Sequence, residues 1–176
     1  MANGAQTNSG RIERRIYFML KRVNRAIREF GLIQHRDRIA LAVSGGKDSM
    51  TLLRLLQAYR ASRPEAIELI AVHVTVPGLP NSEERTRELG KHIHRLGLEF
   101  VAVHLPMSPG ESWPLSCHRC AFNRRKALFS AAERAGCNKI AFGHHADDSA
   151  QTTLLNLIHQ GRLESIVPLR EFFDGR

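Results

Sequence analysis

The chain has 176 residues, of which 43% are hydrophobic and 6% aromatic, and this length and composition predict one globular domain with a buried core. Its formal net charge of +9 favours a polyanionic partner such as nucleic acid, the alternative being a surplus that only aids solubility. The N-terminus is polar and no apolar run approaches the roughly 20 residues that cross a bilayer, so we expect a cytoplasmic protein without a signal peptide or membrane span.

An amphipathic helix is predicted within the N-terminal segment, residues 1–31. Apolar residues recur there at spacings of three and four: Ile12, Ile16, Met19, Val23, Ile27 and Phe30. The other faces are rich in basic residues: Arg11, Arg14, Arg15, Lys21, Arg22, Arg25 and Arg28. Only Glu13 and Glu29 oppose them, so this surface is either an ordinary solvated face or a contact for an RNA backbone.

Short apolar runs alternate with helical patterns in the rest of the chain, residues 32–176. Runs that are continuous, as is typical of strands buried on both faces, lie at 39–43, 69–74, 98–104 and 140–142. Helices are predicted at 48–61, 82–96, 118–135 and 147–160. Their expected caps are Asn81 or Ser82, Ser116 and Asp147, and their expected ends are Gly97, Gly136 and Gly161. Right-handed crossovers make this series a doubly wound parallel α/β sheet, with its ligand site beyond the carboxyl ends of the strands.

A glycine-rich loop, residues 44–49 (SGGKDS), follows the first strand and opens the next helix. Its backbone N–H groups and the positive helix end converge on one point, which predicts an anion site; a plain tight turn is the alternative. The loop is not a Walker A motif, because Leu41 stands where that motif has its first glycine and Asp48 replaces its serine or threonine. It does not match GxGxxG either.

The sequence SGGKDS at a strand-to-helix junction resembles the PP-loop of the ATP pyrophosphatase (adenine nucleotide alpha hydrolase-like) superfamily, which has a HUP/Rossmann-like fold. The resemblance implies that the loop holds the pyrophosphate of ATP, and that the enzyme adenylates a carbonyl oxygen and releases pyrophosphate. The residues it assigns to the nucleotide are Ser44, Gly45, Gly46, Lys47, Asp48 and Ser49. Among them, Asp48 would help to place Mg²⁺.

Two further motifs narrow the resemblance. A CxxC motif, Cys117 to Cys120, is followed by Arg124, and then come Gly143, His144, His145, Asp147, Asp148, Gln151, Thr152 and Asn156. Together with the loop, these residues look like the tRNA 2-thiocytidine biosynthesis (TtcA-type) proteins, where Gly143 and His144 would join the nucleotide site. No cysteine precedes the loop, so the zinc-finger N-terminus of the related 2-thiouridine synthases is missing, which favours the thiocytidine branch.

The cysteine pair has a chemistry of its own. An odd cysteine count with a CxxC motif suits metal or redox chemistry in a reducing compartment. Cys117 and Cys120 lie at a predicted helix N-terminus, which favours the thiolate form. An iron–sulfur cluster, a persulfide carrier, zinc with nearby histidines and a structural role all remain open from the residues alone. The resemblance implies a 4Fe-4S cluster held by three cysteines, whose fourth iron holds the delivered sulfur.

The paired carboxylates Asp147 and Asp148 begin the last predicted helix, where helix capping is one interpretation. The other follows from the expected reversal of strand order between the first and fourth strands, which places them across the crevice from Lys47 and Asp48. There they would orient Mg²⁺-ATP or handle a proton. The neighbouring His144 and His145 are equally consistent with capping, packing or substrate contact.

The C-terminal part departs from the family pattern. The family's third cluster cysteine lies well downstream of the CxxC, whereas a helix of about 18 residues would hold Cys137 ~25 Å away, so we expect Cys137 to be a buried residue. Residues 169–173 are predicted to be a strand and residues 174–175 a hairpin turn with no return strand. We therefore expect a truncated form without a complete cluster site, or a natural short version completed by another chain.

The resemblance implies an ATP-dependent tRNA sulfurtransferase of the 2-thiocytidine type. Its catalytic residues would be Cys117, Cys120, Arg124, Asp147 and Asp148. Its partners would be tRNA and a sulfur donor such as a cysteine desulfurase, with a homodimer left open. One alternative is another PP-loop tRNA-modifying enzyme, such as a lysidine synthetase, which has no use for the cysteine pair. A non-catalytic ATP- or RNA-binding fragment is the other.

Overall fold

The computed structural model describes residues 3–63 and 67–172. The helices are α1 (Asn3–Phe30), α2 (Lys47–Ser62), α3 (Ser82–Arg95), α4 (Cys117–Arg134) and α5 (Ala146–Gln160). The strands are β1 (Asp37–Ala42), β2 (Ile67–Thr75), β3 (Glu99–His104) and β4 (Lys139–Ala141). Across these described ranges, every helix is too short or too polar to span a membrane.

The strands form one parallel sheet in the order β3-β2-β1-β4, which confirms the predicted doubly wound architecture. In β1, Ile39 is in register with Leu69 of β2 on one side and Lys139 of β4 on the other. The direction of winding therefore reverses between β1 and β4. Residues 43–46 and 142–145 leave the carboxyl ends of these two strands at the reversal, which forms a crevice.

Both faces of the sheet are covered, and successive β1 residues enter opposite cores. Ile39 and Leu41 lie in a first core with Leu53 of α2 and Ile93 of α3. Ala40 lies in a second core, which helix α4 covers. Because side chains alternate along a strand and both sides are buried, the strand sequences are continuous apolar runs.

Helix α1 lays its apolar stripe on the first core. Ile27 is buried there, Val23 packs beside it, and the helix contacts α2. Met19 and Phe30, which the predicted stripe includes, are exposed instead. The side chain of Ile12 lies outside the described part. The observed stripe is thus narrower than the predicted one.

The helix boundaries follow local chemistry in most places. Ser116 caps α4 as predicted, because Arg119 N donates to Ser116 Oγ at 3.2 Å. Asn81 precedes α3 but its side chain makes no capping hydrogen bond. The predicted ends of α3, α4 and α5 have the positive φ that favours glycine: Gly97, Gly136 and Gly161.

The segment after α5 is not a strand over the described residues 169–172, so that prediction is wrong. The chain instead runs back along α5, where Ser149 Oγ donates to Ile166 O at 3.2 Å. Side-chain hydrogen bonds between this segment and the helix thus hold it, and no described strand pairs with it. The predicted turn at 174–175 lies outside the described residues.

A buried carboxylate fastens the sheet at the end opposite the crevice. Asp37 Oδ2 accepts hydrogen bonds from Gln34 N at 2.6 Å and lies 2.8 Å from Lys139 Nζ, while Asn138 Nδ2 donates to Oδ1 at 2.7 Å. Burial raises the pKa of Asp37, but the hydrogen bonds and the charge of Lys139 outweigh it, so the pKa lies below its ordinary value of 3.8. The network joins β1 to β4.

We predict that Asp37→Asn lowers the free energy of unfolding at pH 7 by about 2 kcal/mol, because it removes the charge that Lys139 faces. A carboxylate with a lowered pKa stabilises the fold above its unfolded pKa, and this contribution disappears as the pH falls below 3.8. Urea denaturation at several pH values measures both effects.

The difference between wild type and variant should therefore shrink below about pH 4. Glu88→Gln is the matched control, because Glu88 forms an exposed ion pair with Lys91 and should leave the stability nearly unchanged. An Asp37→Asn variant as stable as wild type at neutral pH would show that the network does not fasten the sheet.

Candidate functional site

The glycine-rich loop is braced by its own two serines. Ser44 N donates to Ser49 Oγ at 3.2 Å, and Ser49 Oγ donates to Gly46 O at 3.0 Å. Gly46 N in turn donates to Ser44 Oγ at 3.2 Å. Since Ser49 is buried beneath the loop, these bonds hold the backbone of residues 44–46 in a fixed turn.

The N-terminus of α2 within this loop has no side-chain cap. Gly46 is the N-cap residue and offers no side chain, and the first helical hydrogen bond runs from Met50 N to Gly46 O at 3.1 Å. The amides of residues 47–49 therefore precede the intrahelical ladder. Gly45 has a φ of +80°, which turns the chain sharply at this point. Uncapped amides and the helix dipole favour a bound anion.

Two opposite charges stand at the mouth of the loop. Lys47 Nζ lies 3.0 Å from Asp48 Oδ1, and both side chains are exposed. An exposed pair of this kind is weak, so either group can turn toward a ligand at little cost. Lysine suits a phosphate oxygen, and a carboxylate suits a divalent cation.

Gly143 brings the loop after β4 against the first turn of α2. A Cβ on Gly143 would lie 2.9 Å from Ser49 N and 3.0 Å from the carbonyl carbon of Asp48, which real side chains do not tolerate. His145 follows, with its Nε2 4.0 Å from Asp48 Oδ1. The structure thus brings the glycine-rich loop and residues 143–145 together across the crevice, as the strand reversal predicts.

The last helix starts differently from the expectation. Asp147 is not its cap; His145 occupies the N-cap position, because α5 already begins at Ala146. Asp148 Oδ2 accepts a hydrogen bond from His145 N at 2.8 Å, so this carboxylate satisfies the backbone N–H of the N-cap residue. Asp147, with its side chain 86% exposed, projects from the same turn. Both carboxylates lie near the His145 ring, with Asp147 Oδ2 3.9 Å and Asp148 Oδ2 3.6 Å from His145 Nδ1, but Asp148 alone of the two also accepts the His145 backbone N–H.

His144 packs on a neighbouring ring. Its imidazole stacks on Phe142 with ring centroids 5.6 Å apart and an interplanar angle of 14°. Both residues are exposed at the crevice edge of β4. Of the roles left open for His144, packing is the one for which the structure has a contact.

The cysteine pair lies at the start of α4. Cys117 is exposed, whereas Cys120 is half-buried against the second core. Arg124, one turn later, has its Nη2 4.0 Å from Cys120 Sγ. The cysteine pair therefore lies at a helix N-terminus with a guanidinium beside it.

The loop before the cysteine pair is tied down by a glutamate that the sequence analysis missed. Glu111 accepts hydrogen bonds from Ser108 N at 2.7 Å, from Asn123 Nδ2 at 3.1 Å and from Arg119 Nε. The Ser108 amide, then Arg119 and Asn123, hold the pKa of Glu111 below its ordinary value although burial acts the other way. Arg119, inside the CxxC motif, thus fixes the loop to α4. The spacing of residues in the sequence does not predict such a contact.

Cys137 lies at the other end of α4, where its N–H donates to Ala132 O at 2.9 Å. It packs half-buried on the second core, and this burial raises the pKa of its thiol. Within the described residues, no three histidines, cysteines or carboxylates come together as metal ligands. The described residues therefore do not assemble the three-cysteine set that the family resemblance implies for a 4Fe-4S cluster.

The sequence profile of the PP-loop domain matches residues 18–171 of this chain. The chain belongs to the PP-loop domain family. Curated relatives of this PP-loop protein include the tRNA-cytidine(32) 2-sulfurtransferase of Syntrophotalea carbinolica, which is 40% identical over 166 residues, covering 89% of the chain and 62% of the relative. The protein of the same name from Anaeromyxobacter dehalogenans is 39% identical over 170 residues, covering 94% and 57%. The chain thus spans about 60% of the length of these relatives.

A solved tRNA-thiolase structure has a similar fold. The U34-tRNA thiolase NcsA from Methanococcus maripaludis, solved with its 4Fe-4S cluster, is 27% identical to this PP-loop chain with a TM-score of 0.67. The match covers 81% of the chain and 51% of the thiolase.

We predict that Gly143→Ala lowers the affinity of this PP-loop protein for ATP about tenfold, or roughly 1.4 kcal/mol. The added Cβ would push on the backbone of Ser49 and Asp48, and hence displace the amides that we expect to bind the phosphates. Isothermal titration calorimetry with ATP measures the effect.

The control variant is Gly136→Ala. Gly136 has a φ of +68° at the end of α4, so alanine is strained there and destabilises the fold without touching the crevice. It should bind ATP like wild type. Wild-type ATP affinity in a folded Gly143→Ala variant would show that the contact between the two loops does not shape the site.

Proposed function

We propose that this chain is an ATP-dependent tRNA sulfurtransferase of the 2-thiocytidine type, which activates the base with ATP and then transfers sulfur to it. The observation on which this rests is the seating of Gly143 against the uncapped first turn of α2, which makes one crevice from two motifs. The printed function of relatives about 40% identical supports the choice of reaction. We infer a division of labour in which residues 1–31 contact RNA and residues 32–176 hold ATP.

ATP binding would use the loop as a phosphate site. The amides of residues 47–49 and Lys47 Nζ would bind phosphate oxygens, while Ser44, Gly45, Gly46 and Ser49 shape the turn. Asp48 suits Mg²⁺, which commonly takes one or two carboxylates together with substrate phosphates. Bound Mg²⁺ would neutralise phosphate charge. Gly143 and His144 would border the nucleotide on the β4 side.

The first chemical step would be adenylation. The C2 oxygen of the target cytidine attacks the α-phosphorus of ATP, an O–P bond forms, and the bond to pyrophosphate breaks. Lys47 and the loop amides would stabilise the charge that develops on the leaving pyrophosphate. Asp147, exposed on the first turn of α5, would orient the metal or take up a proton, and Asp148 would position His145.

The second step would deliver sulfur. The terminal sulfur of a persulfide on one cysteine of the pair attacks C2, and the C2–O bond breaks to release AMP. The thiol of the other cysteine then attacks the inner persulfide sulfur, so the S–S bond breaks, the base keeps the transferred sulfur, and the pair is left as a disulfide that an external thiol reduces. Cys117 and Cys120 mark the place for this nucleophile, with Arg124 stabilising negative charge on sulfur. The described residues do not complete a cluster ligand set. The sulfur would come from a donor protein such as a cysteine desulfurase.

The test is tRNA-dependent release of pyrophosphate from ATP, measured with the full chain. Lys47→Ala should weaken ATP binding by on the order of 1.5–3 kcal/mol, the scale of a charge-assisted hydrogen bond, and should slow pyrophosphate release. Lys91→Ala is the matched control, because Lys91 is also an exposed lysine paired with a nearby carboxylate, at 2.8 Å from Glu88.

Pyrophosphate release that does not depend on tRNA, or that is the same in Lys47→Ala, would contradict the proposal. An amidating PP-loop enzyme would also release pyrophosphate with tRNA, but would not need the cysteine pair. Cys120→Ser should therefore keep pyrophosphate release and abolish 2-thiocytidine formation, which mass spectrometry of digested tRNA detects.

A further inference from the structure

The exposed face of helix α1 interleaves aromatic rings with basic side chains. At 3.6 residues per turn, one sector of about 100° contains Arg14, Tyr17, Phe18, Lys21, Arg25 and Arg28, which we call the aromatic–basic face. Among the described side chains of α1, none within this sector is acidic. Leu20, Val23 and Ile27, on the far side, pack on the first core. The helix is therefore anchored without the two rings.

The two rings form an exposed pair. Tyr17 is 57% and Phe18 59% exposed, with ring centroids 5.7 Å apart in an edge-to-face arrangement at 73°. Lys21 Nζ lies 4.8 Å from the centre of the Tyr17 ring and 6.0 Å from that of Phe18. Adjacent exposed aromatic side chains are costly in water unless a partner covers them. The cationic side chains beside the rings indicate that this partner is negatively charged.

We propose that the aromatic–basic face binds single-stranded RNA by stacking unpaired bases on Tyr17 and Phe18. Arg14, Lys21 and Arg28 would contact the phosphates on either side. The rings would contact the bases, because every base has a flat apolar surface, and the basic side chains would contact the phosphates, because every phosphate is negatively charged. The proposal rests on the proposed function, which makes an RNA the substrate, and it specifies that unpaired nucleotides lie along α1.

Duplex RNA and an anionic membrane fit this face less well. In a duplex the faces of the bases are covered by their neighbours, so only the cations would find partners. A membrane-surface helix buries a broad apolar side, whereas the apolar side of α1 is already occupied by the core. The net charge of +9 would attract either polyanion from a distance, but the exposed rings select the single strand.

The experiment compares two variants on two RNAs. The probes are an RNA hairpin with an unpaired loop and the same RNA annealed to its complement. Tyr17→Leu with Phe18→Leu keeps apolar side chains but removes the rings, and should weaken hairpin binding about tenfold or more while duplex binding stays the same. The slope of affinity against salt should not change, since no phosphate contact is lost.

Arg14→Gln with Arg28→Gln is the matched control for charge. It should weaken binding to both RNAs and flatten the salt slope, because fewer counterions are released. Restoring one ring, Phe18 beside Tyr17→Leu, should recover part of the hairpin preference. ATP affinity should equal that of wild type in all variants, since the glycine-rich loop is separate from this face.

Three results would overturn the proposal. These are an unchanged hairpin affinity in the leucine variant, an equal loss on hairpin and duplex, and a wild-type preference for vesicles of phosphatidylserine and phosphatidylcholine over the hairpin. Hairpin binding needs neither ATP nor catalysis, so it is read separately from pyrophosphate release. A chain that binds the hairpin through its rings but never releases pyrophosphate would refute the proposed function alone.

Discussion

The close approach of Gly143 to the first turn of α2 is the constraint on which the site depends. With a Cβ position only 2.9 Å from Ser49 N, the loop after β4 rests directly on the backbone of the glycine-rich loop. Two segments about 100 residues apart in the chain thereby share one crevice wall. The parallel pairing of β1 with β4 positions the two loops for this contact, and the Asp37 network joins the same two strands at their other end.

The groups with charges or dipoles in the three proposed contact regions all suit anionic ligands. The helix end at the loop offers amides without a side-chain cap, and Lys47 adds an exposed cation beside them. The cysteine pair begins α4, on the other face of the sheet, where Arg124 is close to Cys120. Basic side chains continue along α1. Under the proposed function, a nucleotide, a sulfur species and an RNA strand, all anionic, would each meet one of these surfaces.

Local patterns in the sequence predicted much of this arrangement. Apolar runs located the strands because both sheet faces are buried, and SGGKDS located the loop because its glycines and helix start are adjacent. Contacts between distant segments could not be read in this way: the Asp37 network and the Glu111 anchor join residues through the folded chain. The predicted cap of α5 was wrong because the first residue of the helix depends on where β4 ends in the fold. The strand predicted at 169–173 was wrong over its described residues, because an apolar run forms a strand only when a partner strand is available.

Amide hydrogen exchange with and without saturating ATP tests the central claim most directly, since it reports each segment separately. The account predicts slower exchange in both residues 44–49 and residues 143–148 when ATP is bound, with no change along α1. Protection of only one of these segments, or protection confined to other parts of the chain, would contradict the single crevice formed by Gly143 and the first turn of α2.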